Sequence, residues 1–163
     1  LIKNCFLNIC DSSGIIYLGL INFKNTLRIN CNLNDLNKPF NNTLSLIVKY
    51  KDIRTSKILT YEEAINKGVM KFKSTKDFLD NHIAAIPNSK EEILDTIIFL
   101  LKNNILKTNI DEIDFDFSLN NKLHKLISSY TDNKKNNYFA RYFVGYKSKI
   151  SPVFLEKNSK LII

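Results

Sequence analysis

The clearest pattern of apolar and polar positions lies at residues 89–104, where it predicts an amphipathic helix. Ser89 and Glu92 form a capping box, in which a hydroxyl and a carboxylate three residues apart accept hydrogen bonds from backbone N–H groups of the first turn. Pro87, just upstream, favours a break before the helix. The apolar positions then recur at spacings of three and four. We expect four of them to be deeply buried: Leu94, Ile97, Ile98 and Leu101.

The first fifty residues show the alternation that is typical of β-strands. Apolar runs at residues 3–10 and 15–22 flank a polar segment at 11–14 that ends in glycine, and this arrangement predicts a hairpin. Residues 26–33 predict a third strand with one apolar and one solvent-facing side. Residues 44–50 predict a fourth strand. We therefore expect this part of the chain to form a mainly antiparallel sheet.

Helix signals dominate the middle of the chain. Thr60 and Glu63 form a second capping box, and we expect the short helix that follows to end at Gly68. Residues 69–73 predict a short strand. The next segment, residues 74–86, predicts a helix that its first residue, a serine, would cap.

The last third of the chain returns to mixed signals. Residues 110–117 predict an extended segment, residues 118–130 a substantial helix, and residues 138–147 and 153–155 further strands. An antiparallel sheet, about three main helices and C-terminal strands in this order indicate an α+β fold. We expect one domain over residues 1–163, divided into 1–58 mainly β, 60–130 mainly helical and 138–155 β.

Composition limits the class of protein more than its function. The chain has 163 residues, of which 44% are hydrophobic and 25% charged, as expected for a globular domain. No apolar run approaches the roughly 20 residues that span a bilayer, and the N-terminus lacks the order of a signal peptide. We therefore expect a soluble, intracellular protein. Because the chain begins at Leu1, it is interpreted as a processed product or a segment of a longer chain.

The net charge of +8 suggests a polyanion partner, but its origin weakens the suggestion. Nearly all the cations are lysines, since arginine occurs only at Arg28, Arg54 and Arg141. Specific recognition of phosphates and bases favours arginine, whose planar group binds bidentately. The frequent lysine, asparagine and isoleucine also match the codon bias of an AT-rich genome, which accounts for part of the charge.

Cys5, Cys10 and Cys31 lack the spacing of metal ligands. In a strand, positions 5 and 10 point to opposite faces, so a disulfide between them is not expected. Cys31 is in phase with the apolar residues of its predicted strand. We expect three free thiols, which suits a reducing compartment.

Two groups of residues suggest a phosphodiester-cleaving enzyme, which is the alternative function. Asp114 and Asp116 would share one face of an extended segment and hold a divalent metal with further ligands. His82 and His124 are the only imidazoles, and a metal-independent ribonuclease would use them as general base and general acid. For all four residues we favour a structural or solvent-exposed position over a catalytic one. The aspartates would form the solvent side of an edge strand, His124 would be a surface residue, and His82 would be part of a helix.

A basic and aromatic segment near the C-terminus suggests a binding surface. In a strand over residues 138–147, tyrosines would share one face beside cations, which is the arrangement that stacks bases and neutralises phosphates in single-stranded RNA. The candidate binding residues are Lys134, Lys135, Tyr138, Arg141, Tyr142, Tyr146, Lys147 and Lys149. An aromatic strand that fills a core, with lysines on its outer side, gives the same pattern.

The leading hypothesis is a non-catalytic binding or structural module of a larger assembly, which engages a protein or RNA partner through this basic aromatic surface. The sequence contains no glycine-rich phosphate loop, nucleophile elbow or zinc pattern. We assign no catalytic residue, expect no cofactor and no metal, and expect no membrane span.

Overall fold

The computed structural model describes residues 4–11, 24–37, 41–114, 116–132 and 149–162. These residues form five α-helices and two β-sheets, which makes the fold broadly α+β as predicted. The strands are β1 Leu7–Cys10, β2 Asn25–Cys31, β3 Thr43–Ile47, β4 Lys49–Asp52, β5 Ile58–Leu59, β6 Ile83–Ile86 and β7 Lys149–Ile150. The helices are α1 Tyr61–Asn66, α2 Thr75–Asp80, α3 Lys90–Lys102, α4 Ser118–Asp132 and α5 Pro152–Lys157.

The first sheet is parallel, which corrects the prediction of an antiparallel N-terminal sheet. Its strand order is β1-β2-β3-β7, and every pairing in it is parallel. Parallel neighbours need a crossover of about a dozen residues or more, and the stretch between Cys10 and Asn25 is long enough. The second strand of the predicted hairpin, residues 15–22, lies outside the described residues.

The prediction that β2 has a solvent-facing side is wrong. The alternation places Arg28 on the polar side and Leu27 on the apolar side, yet Arg28 is only 2% exposed and Leu27 is fully buried. The reason is that a parallel sheet is normally covered on both faces. The strand is also irregular, because its register with β3 shifts after Arg28 and Asn30 has a φ of 53°.

The second sheet is antiparallel, with the order β5-β4-β6. Its outer strand β6, Ile83–Ile86, lies where the predicted helix at residues 74–86 was expected to end. That helix ends at Asp80, and the chain turns at His82, whose φ is 53°, before it enters the strand. The predicted strand at residues 69–73 is instead a 3-10 helix at Val69–Lys71.

Helix α3 forms where the pattern predicts it, but the side of the helix that faces the core is not the predicted one. Its buried residues are Glu92, Thr96 and Leu100. Leu94, Ile98 and Leu101, predicted to be deeply buried, are 55%, 40% and 47% exposed, and Ile97 is half-buried. Because the apolar arc of this helix covers more than half of its circumference, periodicity alone does not decide which part faces the core.

The C-terminal third contains two further corrections. The segment predicted to be extended at residues 110–117 begins with a 3-10 helix at Ile110–Glu112, and its other described residues, 113–114 and 116–117, form no strand. The predicted strand at residues 153–155 lies inside α5, which Ser151 caps and which packs on α3 and α4. Most of the predicted strand at residues 138–147 lies outside the described residues.

None of the three cysteines forms a disulfide, as predicted; Cys10 and Cys31 are buried and Cys5 is partly exposed. Within the described parts of the chain, no helix is both long enough and apolar enough to cross a membrane.

Candidate functional site: the outer face of helix α3

The start of α3 is held by the predicted capping box. Ser89 Oγ accepts a hydrogen bond from the Glu92 N–H at 3.2 Å, and Glu92 Oε2 accepts one from the Ser89 N–H at 2.9 Å. These bonds satisfy two backbone donors that the helix itself leaves without a partner. The position where α3 begins is therefore set by its own residues.

Polar contacts hold the inner face of α3. Glu92 Oε1 accepts hydrogen bonds from Lys49 Nζ at 2.8 Å and from Asn158 Nδ2 at 3.1 Å. One turn further on, Thr96 Oγ1 and Ser151 Oγ are 2.8 Å apart. Burying a polar group costs free energy unless the group is hydrogen-bonded. These contacts therefore favour the orientation of α3 about its axis in which both Glu92 and Thr96 face the core.

The carboxylate of Glu92 stays ionised in this setting. Burial by itself would raise its pKa, but the hydrogen bonds from Lys49, from the Ser89 backbone and from Asn158 outweigh burial, so that its pKa lies below the ordinary value. Lys49 and Glu92 thus form an ion pair that joins β4 to the first turn of α3.

The outer face of α3 is an apolar stripe, which we define as Leu94, Ile98 and Leu101. These residues follow one another at spacings of four and three, so they lie on one side of the helix. All three are substantially exposed. Asp95, beside the stripe, is paired with Lys157 of α5. An apolar patch with charged neighbours is typical of a surface that contacts another protein.

The candidate binding residues in the basic segment fall almost entirely outside the described residues: Lys134, Lys135, Tyr138, Arg141, Tyr142, Tyr146 and Lys147. Lys149 is described, at the start of β7. Its Nζ lies 3.0 Å from Asp111 Oδ1 and 5.9 Å from the centre of the Phe117 ring. Lys149 therefore links β7 to the loop before α4, and its proposed part in a basic surface stays a prediction.

Asp111 and Asp116 make structural contacts with neighbouring protein groups. Asp116 accepts hydrogen bonds from the backbone and hydroxyl of Ser118 at the start of α4, and the first of these bonds is the main reason that its pKa is lowered. Asp111 accepts from the Asn42 N–H at 2.7 Å. Across the residues that the structure describes, no three His, Cys, Asp or Glu side chains are grouped as metal ligands would be.

The two histidines lie on different elements. His82, in the turn between α2 and β6, contacts the guanidinium of Arg54. His124 lies on α4 and is buried, which corrects the expectation that it is a surface residue. The flanking lysines suggested exposure, but a helix turns by about 100° per residue, so neighbours in sequence face different ways.

The residues that anchor α3 were not found from the sequence. Lys49, Ser151 and Asn158 are far from α3 in the chain, and no spacing connects them to it. A weak signal was present in Glu92 and Thr96, two polar residues one turn apart in line with Leu100.

Comparisons with protein-family models, with curated proteins and with solved structures found no match.

Proposed function

We propose that this protein is a non-catalytic binding module of a larger assembly and that it contacts a partner protein through the apolar stripe of α3. The observation that carries the proposal is the orientation of α3, whose polar residues Glu92 and Thr96 face the core while Leu94, Ile98 and Leu101 face outwards. A partner that covers the stripe removes its apolar surface from water, which stabilises the complex by roughly 25 cal/mol for each Å² buried.

The test compares two variants in the full chain. The stripe variant carries Leu94→Ser, Ile98→Ser and Leu101→Ser. The control variant carries Phe6→Ser and Ile58→Ser, because these side chains are also exposed, at 55% and 39%, but belong to other surfaces. Tagged proteins are purified from the cells that make them naturally, and partners are identified by cross-linking from a photoreactive residue at position 94 in the parent and at position 58 in a matched control.

We expect one partner protein to be cross-linked from position 94 and not from position 58. The same partner should be lost from the stripe variant and retained by the control variant, while unfolding free energies fall by about 1 kcal/mol or less for each exposed substitution. Retention of the partner by a folded stripe variant would contradict the proposal. Sedimentation of the purified protein distinguishes a second copy of this chain from a different partner.

The RNA version of this module rests on the charge and aromatic content of residues 134–149. Single-stranded RNA is titrated at several salt concentrations against the parent, the Lys134→Ala/Lys135→Ala variant and the Tyr142→Ala variant. The lysine substitutions should lower the salt slope by up to about two units, and the tyrosine substitution should cost about 1–3 kcal/mol with little change in slope. If the variants match the parent, only the protein-binding version remains.

The enzyme alternative also stays a prediction. Asp114→Asn/Asp116→Asn and His82→Ala/His124→Ala variants, assayed for cleavage of RNA and DNA with and without Mg²⁺, test it directly. His82 lies in the turn between α2 and β6 and His124 on α4, and the described residues contain no group of three possible metal ligands, so we do not favour it.

A further inference from the structure

The outer edge of β6 carries backbone groups that are free to pair with another strand. The Ile53 N–H donates to the His82 carbonyl at 2.8 Å, which identifies this pair as hydrogen-bonded in the antiparallel ladder. Bonded and non-bonded pairs alternate, so the backbone groups of Ala84 and Ile86 face β4. Those of Ile83 and Ala85 therefore face away from β4. In the described part of the chain, β6 has no neighbour on that side.

A groove runs beside this edge. Its volume is about 470 Å³, within the range of ligand-binding clefts. Ala84 and Ala85 of β6 line it together with Phe72, Phe78 and Leu79. The alanine side chains are too small to obstruct a strand that approaches β6. The groove therefore offers backbone pairing and space for a side chain in the same place.

The aromatic wall of the groove is held by the core of the antiparallel sheet. Phe78 stacks on the buried Tyr50 at a centroid distance of 6.3 Å, and Phe72 packs edge-on against Phe78 at 5.0 Å. Leu79 is 59% exposed at the rim. Such a wall is preformed, so binding does not require it to be ordered first.

The lining of the groove includes a cation. Lys73 is the one charged side chain among the described residues that line it. The nearby Asp77 carboxylate stays ionised, because the N–H groups of Lys73 and Ser74 donate hydrogen bonds to its Oδ2 at 2.7 and 2.9 Å and hold its pKa below the ordinary value. A ligand that carries an acidic group close to its apolar side chain is complementary to this arrangement.

We propose that β6 and the adjoining groove bind an extended peptide segment of a partner protein, with one large apolar side chain in the groove and a carboxylate near Lys73. The segment adds to the sheet as a fourth strand, paired to the outward N–H and C=O groups of Ile83 and Ala85. Main-chain hydrogen bonds supply affinity in such strand addition, and the groove supplies specificity. The site is separate from the apolar stripe and does not depend on it.

Proline substitutions at neighbouring positions of β6 test the proposal, because successive N–H groups of this strand point alternately towards β4 and away from it. Ala85→Pro removes an N–H that faces outwards, and proline is tolerated at such edge positions. Ala84→Pro removes an N–H that faces β4, so it should lower the unfolding midpoint while Ala85→Pro changes it far less. Leu79→Ser and Lys73→Glu alter the groove without touching the backbone, and Ile58→Ser on the opposite edge is the control.

The probes are short fluorescent peptides of alternating threonine and valine, with a central phenylalanine or leucine and a flanking aspartate. A second set has the aspartate replaced by lysine, and a third has consecutive amides N-methylated so that neither edge of the peptide can pair with a strand. Binding is measured by fluorescence anisotropy with the full chain.

We expect the aspartate peptides to bind the parent and the Ile58→Ser variant equally. Ala85→Pro and Leu79→Ser should each weaken binding by about tenfold or more, Lys73→Glu should reverse the preference to the lysine peptides, and the N-methylated peptides should not bind. Equal binding of N-methylated peptides would overturn strand addition, as would the absence of binding by every peptide at about 1 mM. Binding of oligouridylate in place of the peptides, lost in the same variants, would also overturn it.

Discussion

Two adjacent leucines test the orientation of α3 directly. Leu100 is fully buried and Leu101 is 47% exposed, although both are leucines one residue apart in the same helix. Leu100→Ala removes a core side chain and should cost about 2–5 kcal/mol of unfolding free energy. Leu101→Ala leaves no enclosed cavity, and alanine favours the helix slightly more than leucine, so its cost should stay below about 1 kcal/mol.

The measurement is a urea unfolding titration of the parent and both variants. With a slope of about 2 kcal/mol per M, a loss of about 3 kcal/mol moves the midpoint by about 1.5 M. Leu101→Ala should move it by less than about 0.5 M. If the larger loss belonged to Leu101→Ala, the helix would present to the core the face that the apolar periodicity suggested, and the stripe would not be a free surface.

Two other matched pairs test the polar contacts of the core. The pKa of Glu92 is depressed in the folded protein, so its contribution to stability is complete above the ordinary value of 4.5 and is lost as the pH falls through the lower folded pKa. Urea midpoints measured from neutral to acid pH should therefore become less acid-sensitive in Glu92→Gln, but not in the exposed Glu91→Gln; equal pH profiles in parent and Glu92→Gln would contradict this. Tyr50→Phe should cost about 1–3 kcal/mol, because the buried Leu33 N–H donates to the Tyr50 hydroxyl at 3.1 Å. Tyr61→Phe should be nearly neutral, because the buried Tyr61 hydroxyl has no hydrogen-bond partner among the described residues; equal losses in the two tyrosine variants would show that both hydroxyls are paired.

Local signals in the sequence predicted the starts of α1, α2 and α3 correctly, whereas the start of α5 was missed. The capping boxes at Thr60 and Ser89, and the cap at Ser74, all form with the expected hydrogen bonds. A capping box depends on two residues three positions apart and on the backbone between them, so it can be read without knowledge of the fold. The places where helices end were less predictable, as Asp80 shows, because alanine and isoleucine after it suit either a helix or a buried strand.

Pairing between distant segments was the main source of error. The alternation in residues 26–33 predicts a strand, but alternation contains no information on whether the neighbour runs parallel or antiparallel. One clue was in the sequence: Asn-Thr-Leu occurs at residues 25–27 and again at 42–44. The two copies lie side by side, with Thr26 opposite Thr43 and Leu27 opposite Leu44.

The candidate surface could not be predicted for a related reason. Periodicity gives the width of the apolar arc of a helix. The orientation of the helix about its axis depends on the residues that contact it, which for α3 include Lys49 and Ser151. Only a three-dimensional structure brings these residues to Glu92 and Thr96. The exposure of Leu94, Ile98 and Leu101 is thus a consequence of polar contacts on the opposite side of the same helix.

This coupling bears on why an apolar stripe faces outwards. A buried ion pair contributes little net stability, because desolvation of both charges offsets most of their attraction. Removing only one partner is costly, however, since it leaves the other charge buried alone. The Lys49 and Glu92 pair is only partly buried, but it would have to break if α3 turned about its axis to bury its leucines, and the carboxylate would then lose its cation. In this orientation the apolar stripe of α3 stays exposed to water. A partner protein that covered the stripe would bury this apolar surface, and the complex would be stabilised by that burial.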